Sequence, residues 1–271
     1  MNDLQRSYLD LMKSCLINSI YGDSEVSVYS PKKNPLKRKA VDMLRTRGLQ
    51  VVKPLPMDTD KRETGSDRSP IAHTMIGLKR LENIEFCIED VLKNNIPGDL
   101  IETGVWRGGA TIFMRAALNA FGVKDRLVWV ADSFEGLPEP DLEKYPEDVG
   151  DTLYRSKEIA VSLDVVKANF ARYGLLDDQV RFIEGWFKDT LPKAPIKRLA
   201  VMRLDGDMYG STIDALSSLY PKLSVGGYVI IDDYGAMETC RKAVGDYRKE
   251  NGLEDEIKEI DWTGAYWRKS K

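Results

Sequence analysis

The sequence predicts an α/β fold built on one doubly wound, mostly parallel seven-stranded sheet with an antiparallel hairpin at its C-terminal edge. From residue 74 onward short apolar runs alternate with helical patterns, which is how strands and crossover helices read. A glycine-rich turn follows the first of these runs and opens a helix. The last two runs, Ile257–Ile260 and Gly264–Trp267, lie too close together for a crossover helix, so they pair as a hairpin.

In chain order, Leu4, Tyr8, Leu11, Met12, Cys15, Leu16 and Ile20 mark an amphipathic helix over residues 1–22, closing near Gly22. Residues 23–70 are different. Pro31, Pro35, Pro54, Pro56 and Pro70 punctuate them, and Lys32–Lys53 holds eight basic residues against one acid, Asp42. This composition predicts a solvated surface segment with a short helix near Lys37–Arg47. The alternatives are a lid or anion-attracting mouth and, with no aromatic residues interleaved, a weak nucleic-acid surface. Met75 to Leu92 repeats at helical spacing. Strands follow at Asp99–Glu102, Leu127–Ala131, Val180–Ile183, Arg198–Leu204 and Tyr228–Ile231. Helices are expected over Gly108–Ala120, Val161–Tyr173, Ser211–Leu223 and Met237–Asn251. The domain division is 1–70, a helical extension with the basic segment, and 71–271, the sheet domain.

Composition excludes several classes. The 271 residues are 42% hydrophobic, and no apolar run approaches the ~20 residues of a membrane span. Forty basic against forty-three acidic residues leave a net charge of −3, with no bias toward nucleic acid or a membrane surface. Cys15, Cys87 and Cys240 form no CxxC pair, as expected of reduced thiols, and no signal peptide is visible at the N-terminus, so a cytoplasmic location is expected. The single histidine, His73, leaves acid–base chemistry mainly to carboxylates, Lys or Tyr.

In an open α/β sheet ligands bind beyond the carboxyl ends of the strands. After the first strand stands Glu102-Thr103-Gly104-Val105-Trp106-Arg107-Gly108-Gly109. Its glycines let the backbone approach a ligand closely. Its spacing is not GxGxxG, and a carboxylate there suits the sulfonium and ammonium of S-adenosylmethionine better than a pyrophosphate. A plain strand–turn–helix loop is the alternative. Asp132-Ser133, ending the second strand 30 residues beyond Glu102, can hold ribose hydroxyls or cap a helix. Gly185-Trp186-Phe187 after the third strand can hold a flat base, although Phe187 also suits the core. Asp205-Gly206-Asp207 and Asp232-Asp233-Tyr234 close the fourth and fifth strands. Four carboxylates at one sheet edge repel unless a cation joins them. Oxygen donors alone favour Mg²⁺, Mn²⁺ or Ca²⁺. Asp205, Asp232 and Asp233 are the expected ligands, with Asp207 a helix cap.

These stretches resemble the macrocin O-methyltransferase family, the S-adenosylmethionine- and metal-dependent sugar O-methyltransferases of macrolide and aminocoumarin pathways. The likeness spans about residues 70–268. It is carried by Ala72–Gly77, Ile101–Val105 with Arg107-Gly108-Gly109, Trp129–Phe134, Asn169–Leu175, Gly185–Thr190, Arg203–Asp207, Gly226–Ile230 and Asp232–Tyr234. The resemblance implies a class I methyltransferase fold, a divalent cation such as Mg²⁺, an oligomer, and methyl transfer to a sugar hydroxyl. It implies cofactor contacts at Glu102, Gly104, Asp132, Gly185 and Trp186, and places Thr74 and Met75 near them. Thr103, Gly108, Gly109 and Ser133 belong to the same turns. The chain departs from the family around residues 27–66 and Glu135–Ser162, so the acceptor, a glycoside or a nucleotide-linked sugar, does not carry over.

Asp205 is the candidate base, at once metal ligand and proton acceptor. Catechol-type relatives carry a lysine three residues after the equivalent acid, where this chain has Met208. His73 is the competing base. The rival functions are a DxD glycosyltransferase built on Asp205-Gly206-Asp207, the same methyltransferase chemistry on a non-sugar small-molecule hydroxyl, a non-catalytic binding protein docking through the basic segment, and, against the missing GxGxxG, a nicotinamide dehydrogenase.

Overall fold

The computed structural model describes residues 1–67 and 69–271. Helix α1 (Asp3–Leu16) starts in a capping box, in which Asn2 and Gln5 satisfy each other's backbone N–H. Its Leu9, Met12 and Leu16 are buried in the same core as Leu100 and Phe113 further along the chain. The segment that follows is more ordered than its composition predicts. It contains β1 (Val26–Val28), α2 (Pro35–Arg45), β2 (Val52–Pro54) and α3 (Thr59–Thr64), with β1 and β2 paired antiparallel.

A buried ion network orders this segment. The Arg62 guanidinium is 4% exposed and donates to Ile17 O at 2.6 Å, to both oxygens of Glu25, and to Asp67 at 2.6 Å. Charged residues that look solvated in the sequence are therefore anchors. Arg62→Met should leave Glu25 buried without its partner and cost about 3–5 kcal/mol in urea unfolding. An unchanged midpoint would show that the network does not hold the segment.

The sheet domain comprises α4 (Leu78–Lys93), β3 (Asp99–Thr103), α5 (Gly109–Ala120), β4 (Val128–Asp132), α6 (Leu163–Arg172), β5 (Val180–Glu184), α7 (Phe187–Thr190), β6 (Leu199–Leu204), α8 (Tyr209–Leu219), β7 (Leu223–Ile231), α9 (Glu238–Glu250), β8 (Lys258–Glu259) and β9 (Ala265–Arg268). Among the described residues the sheet has seven strands in the order β5-β4-β3-β6-β7-β9-β8. All neighbours run parallel up to β7, whereas β9 and β8 are antiparallel. Successive side chains of a strand point to opposite faces. Leu100 and Val130 therefore join one core with α4, α5 and α6, while Ile101 and Met202 join the other with α8 and α9. The order reverses at β3, so the crevice lies beyond the carboxyl ends of β3, β4, β6 and β7.

One expected boundary shifts. The helix expected over Ser211–Leu223 ends at Leu219 and becomes a 3-10 turn at Tyr220–Lys222, because Pro221 cannot continue an α-helix. Leu223 then begins β7, and the β6–β7 register slips before Tyr228. No helix of the described residues is long and apolar enough to cross a membrane.

Candidate active site

One cleft spans these strand ends. Its lining includes Met75, Gly104, Trp106, Asp132, Ser133, Trp186, Asp205 and Asp207, and residues 136–148 and Ile159 form one wall. Gly104 turns the chain out of β3 at φ +79°, and a Cβ there would stand 1.7 Å from the carbonyl oxygen of Asp205. Only glycine lets this turn lie against the end of β6. Asp132, at the end of β4, accepts from the backbone N–H groups of Val105 and Phe134, each at 2.7 Å. Burial raises its carboxyl above the usual range, and these bonds oppose the shift.

The acids after β6 and β7 divide into two groups. Asp205, Asp207 and Asp233 each bring a carboxylate oxygen within 4.8 Å of the others. Burial, then the charges of neighbouring acids, pushes the Asp205 and Asp233 carboxyls well up and Asp207 to about 6. Asp207 also adopts φ +55°, uncommon for a residue with a side chain, and its N–H donates to Asp233 at 3.2 Å. Closely spaced carboxylates without a cation among them repel, and all their donors are hard oxygens. The set fits Mg²⁺ or a similar ion.

Asp232, expected among the ligands, is not one of these three, although its charge acts on each of them. Arg80 from α4 grips both its oxygens at 2.7 and 2.6 Å, and Arg203 from β6 donates to it as well. Although burial acts the other way, these two guanidiniums hold the Asp232 carboxyl below its ordinary range. Asp207, expected as a cap, takes the third place instead. Glu102 differs too. It was expected to face a cationic ligand, but it is 2% exposed and its carboxylate is paired with Arg203. Burial pushes it up to about 7, with Arg203 opposing.

Of the other expected cofactor residues, Met75, Gly104, Asp132, Ser133 and Trp186 line the cleft. Thr74, Thr103, Gly108 and Gly109 are buried and do not line it, and Gly185 donates its N–H to Asp132 O at 2.9 Å. His73, the competing base, hydrogen-bonds the Tyr173 hydroxyl at 2.8 Å and does not line the cleft among the described residues. Burial, then Arg172 and Arg107, lowers its pKa.

The family model for macrocin O-methyltransferases (TylF) matches residues 5–269. The chain belongs to this family. It is 52% identical over 267 residues to the 8-demethyl-8-(2,3-dimethoxy-alpha-L-rhamnosyl)-tetracenomycin-C 4'-O-methyltransferase of Streptomyces olivaceus, covering 98% of this chain and 94% of that protein. It is 48% identical to the mycinamicin III 3''-O-methyltransferase of Micromonospora griseorubida, covering 97% and 96%. The solved O-methyltransferase NovP superposes with a TM-score of 0.85 at 47% identity, covering 98% of this chain and all of that one. This member of the macrocin O-methyltransferase family is thus an S-adenosylmethionine-dependent O-methyltransferase with the class I fold. Glycosyltransferase, dehydrogenase and non-catalytic functions are set aside.

Arg203 carries no assigned role in the sequence reading, although it is the lone charge in the apolar run Leu199–Leu204. It is 1% exposed and joins three strand ends: Glu102 of β3, Asp205 after β6 at 3.0 Å, and Asp232 after β7. A buried charge persists only when paired, and here one guanidinium ties together the strands that carry the site.

Proposed function

We propose that this methyltransferase methylates a sugar hydroxyl of an assembled, uncharged glycoside, with a hard divalent cation at Asp205, Asp207 and Asp233. The observation that carries this is the grouping of those three carboxylates, two of which, Asp205 and Asp207, line the same cleft as Gly104, Asp132 and Trp186. The names of the relatives support the sugar acceptor, since the tetracenomycin and mycinamicin enzymes are O-methyltransferases of glycosylated compounds.

The cleft wall supports the uncharged acceptor. Asp132, Glu139, Asp141, Asp148, Asp205, Asp207 and Asp214 line it, and Lys188 is the one base among the described lining residues. A nucleotide-linked sugar would bring a diphosphate against these acids, whereas Leu137, Pro138 and Ile159 offer an apolar face to an aglycone. With labelled cofactor, neutral glycosides should exceed matched nucleotide sugars in kcat/KM by about tenfold or more, since like charges in a desolvated site cost more than about 1.4 kcal/mol. Equal turnover of the two classes would overturn the charge selection.

S-adenosylmethionine supplies an activated methyl group, and a divalent cation would supply Lewis acidity toward the acceptor hydroxyl. The chain's own residues align the two reactants and take one proton. Met75, Asp132 and Trp186 would hold the nucleoside side of the cleft. Asp205 keeps 26% of its side chain accessible while Arg203 fixes one of its oxygens, so it stands ready at the cleft floor. Asp205 would accept the hydroxyl proton as the oxygen attacks the methyl carbon in line with the departing thioether.

The chain would act as a homo-oligomer. Leu36 and Met43 of α2 are 79% and 53% exposed, and Val26, Val28 and Val52 of the hairpin are exposed too. Light scattering should give a multiple of 30.7 kDa, and a monomer at micromolar concentration would contradict this.

A further inference from the structure

We propose that Asp148 is a positioning residue for the turn that carries Asp207. It acts as the N-terminal cap of α8 from 61 residues away. The proposal rests on the cation site above.

Helix α8 begins directly after Asp205-Gly206-Asp207-Met208, and its own N-cap residue, Met208, makes no side-chain capping bond. The first free N–H groups of a helix need partners. Here both oxygens of one remote carboxylate provide them. Tyr209 N donates to Asp148 Oδ1 at 2.7 Å and Gly210 N to Oδ2 at 2.9 Å, with Asp148 only 1% exposed. A carboxylate at this place also meets the positive end of the helix dipole.

The residue just before the cap is the strained one. Asp207 sits at φ +55°, so its backbone stays there only if its surroundings hold it. Asp233 holds it from one side, through the N–H of Asp207. Asp148 holds the chain two residues further on. The cap lies in the wall that closes the cleft, and the wall is seated by a second contact. Tyr145 packs on Gly210, where a Cβ would stand 2.4 Å from its ring, and its hydroxyl donates to Asp214 at 2.5 Å. The wall that faces the acceptor and the turn that faces the cation are thus one mechanical unit. Loosening the wall should move a ligand of the cation without touching the cofactor residues.

The test compares wild type, Asp148→Ala and Asp148→Asn by two binding measurements: Mn²⁺ by water-proton relaxation and S-adenosylhomocysteine by calorimetry. Residues that orient metal ligands typically cost about 10–100-fold in metal affinity when removed. Asp148→Ala should therefore weaken Mn²⁺ at least about tenfold and leave S-adenosylhomocysteine within about twofold, while Asp148→Asn, which keeps one acceptor oxygen, recovers part of the loss. Should the alanine variant fail to fold, the asparagine variant is read the same way, with a smaller loss. Unchanged Mn²⁺ affinity in the variants, or equal loss of both ligands, overturns the proposal. Absence of Mn²⁺ binding by the wild type is a different failure: it defeats the cation site and takes this proposal with it.

Discussion

Asp205→Asn is expected to lower turnover by about 10²–10⁴-fold, the range that one positioned proton acceptor supplies. The amide keeps the size of the carboxylate but accepts no proton and binds a hard cation poorly. S-adenosylhomocysteine should still bind, because Gly104, Asp132 and Trp186 are untouched. Rapid-quench transfer of labelled methyl, with calorimetry for the cofactor product, separates the two effects. Turnover near wild type would place the base elsewhere. Loss of cofactor binding would show that Asp205 acts through the Gly104 turn, which lies against its carbonyl oxygen.

Removing divalent cations with a chelator should lower kcat by about 10²-fold or more, with recovery on adding Mg²⁺, since Lewis-acid activation is worth several kcal/mol. The effect carries a pH signature. Asp207 is pushed up to about 6, and burial with the charges of neighbouring acids also raises Asp205 and Asp233 well above the ordinary carboxylate range. These groups bind more protons folded than unfolded. Without a cation, the stability they contribute is full below the ordinary carboxylate range and is lost as pH rises through about 6 and beyond. A cation replaces the protons and removes that penalty. Melting curves should therefore show a larger Mg²⁺ stabilisation at pH 8 than at pH 5. Equal gains at both pH values would mean that Mg²⁺ binds elsewhere.

The sheet was legible because its strands are apolar runs bounded by turn residues, a pattern that local physics writes into the sequence. Leu127–Ala131 and Arg198–Leu204 correspond to β4 and β6 within a residue or two. The N-terminal segment was not legible in the same way. Its β1 and β2 are three residues each and mostly exposed, and it is ordered by Arg62 and Glu25, residues whose burial no local pattern announces. The acids at the strand ends were visible as a group, but their division was not. Asp232 leaves the cluster because Arg80, 152 residues earlier, and Arg203 hold it. Asp207 enters it because a strained turn, braced by Asp233 and capped through Asp148, points it there. Partners at such sequence distances are set by topology, and only Arg203, a charge inside an apolar strand, left a signal that could have been read.

Asp205, Asp207 and Asp233 are proposed to hold a hard cation beside the cofactor. Calorimetric titration of Mg²⁺ into the S-adenosylhomocysteine complex tests it most directly, with Asp233→Asn as the comparison. One ion should bind per chain in the wild type, and that binding should be lost in the variant. A fully active chain that takes up no Mg²⁺, or takes it up equally well without the Asp233 carboxylate, would contradict it.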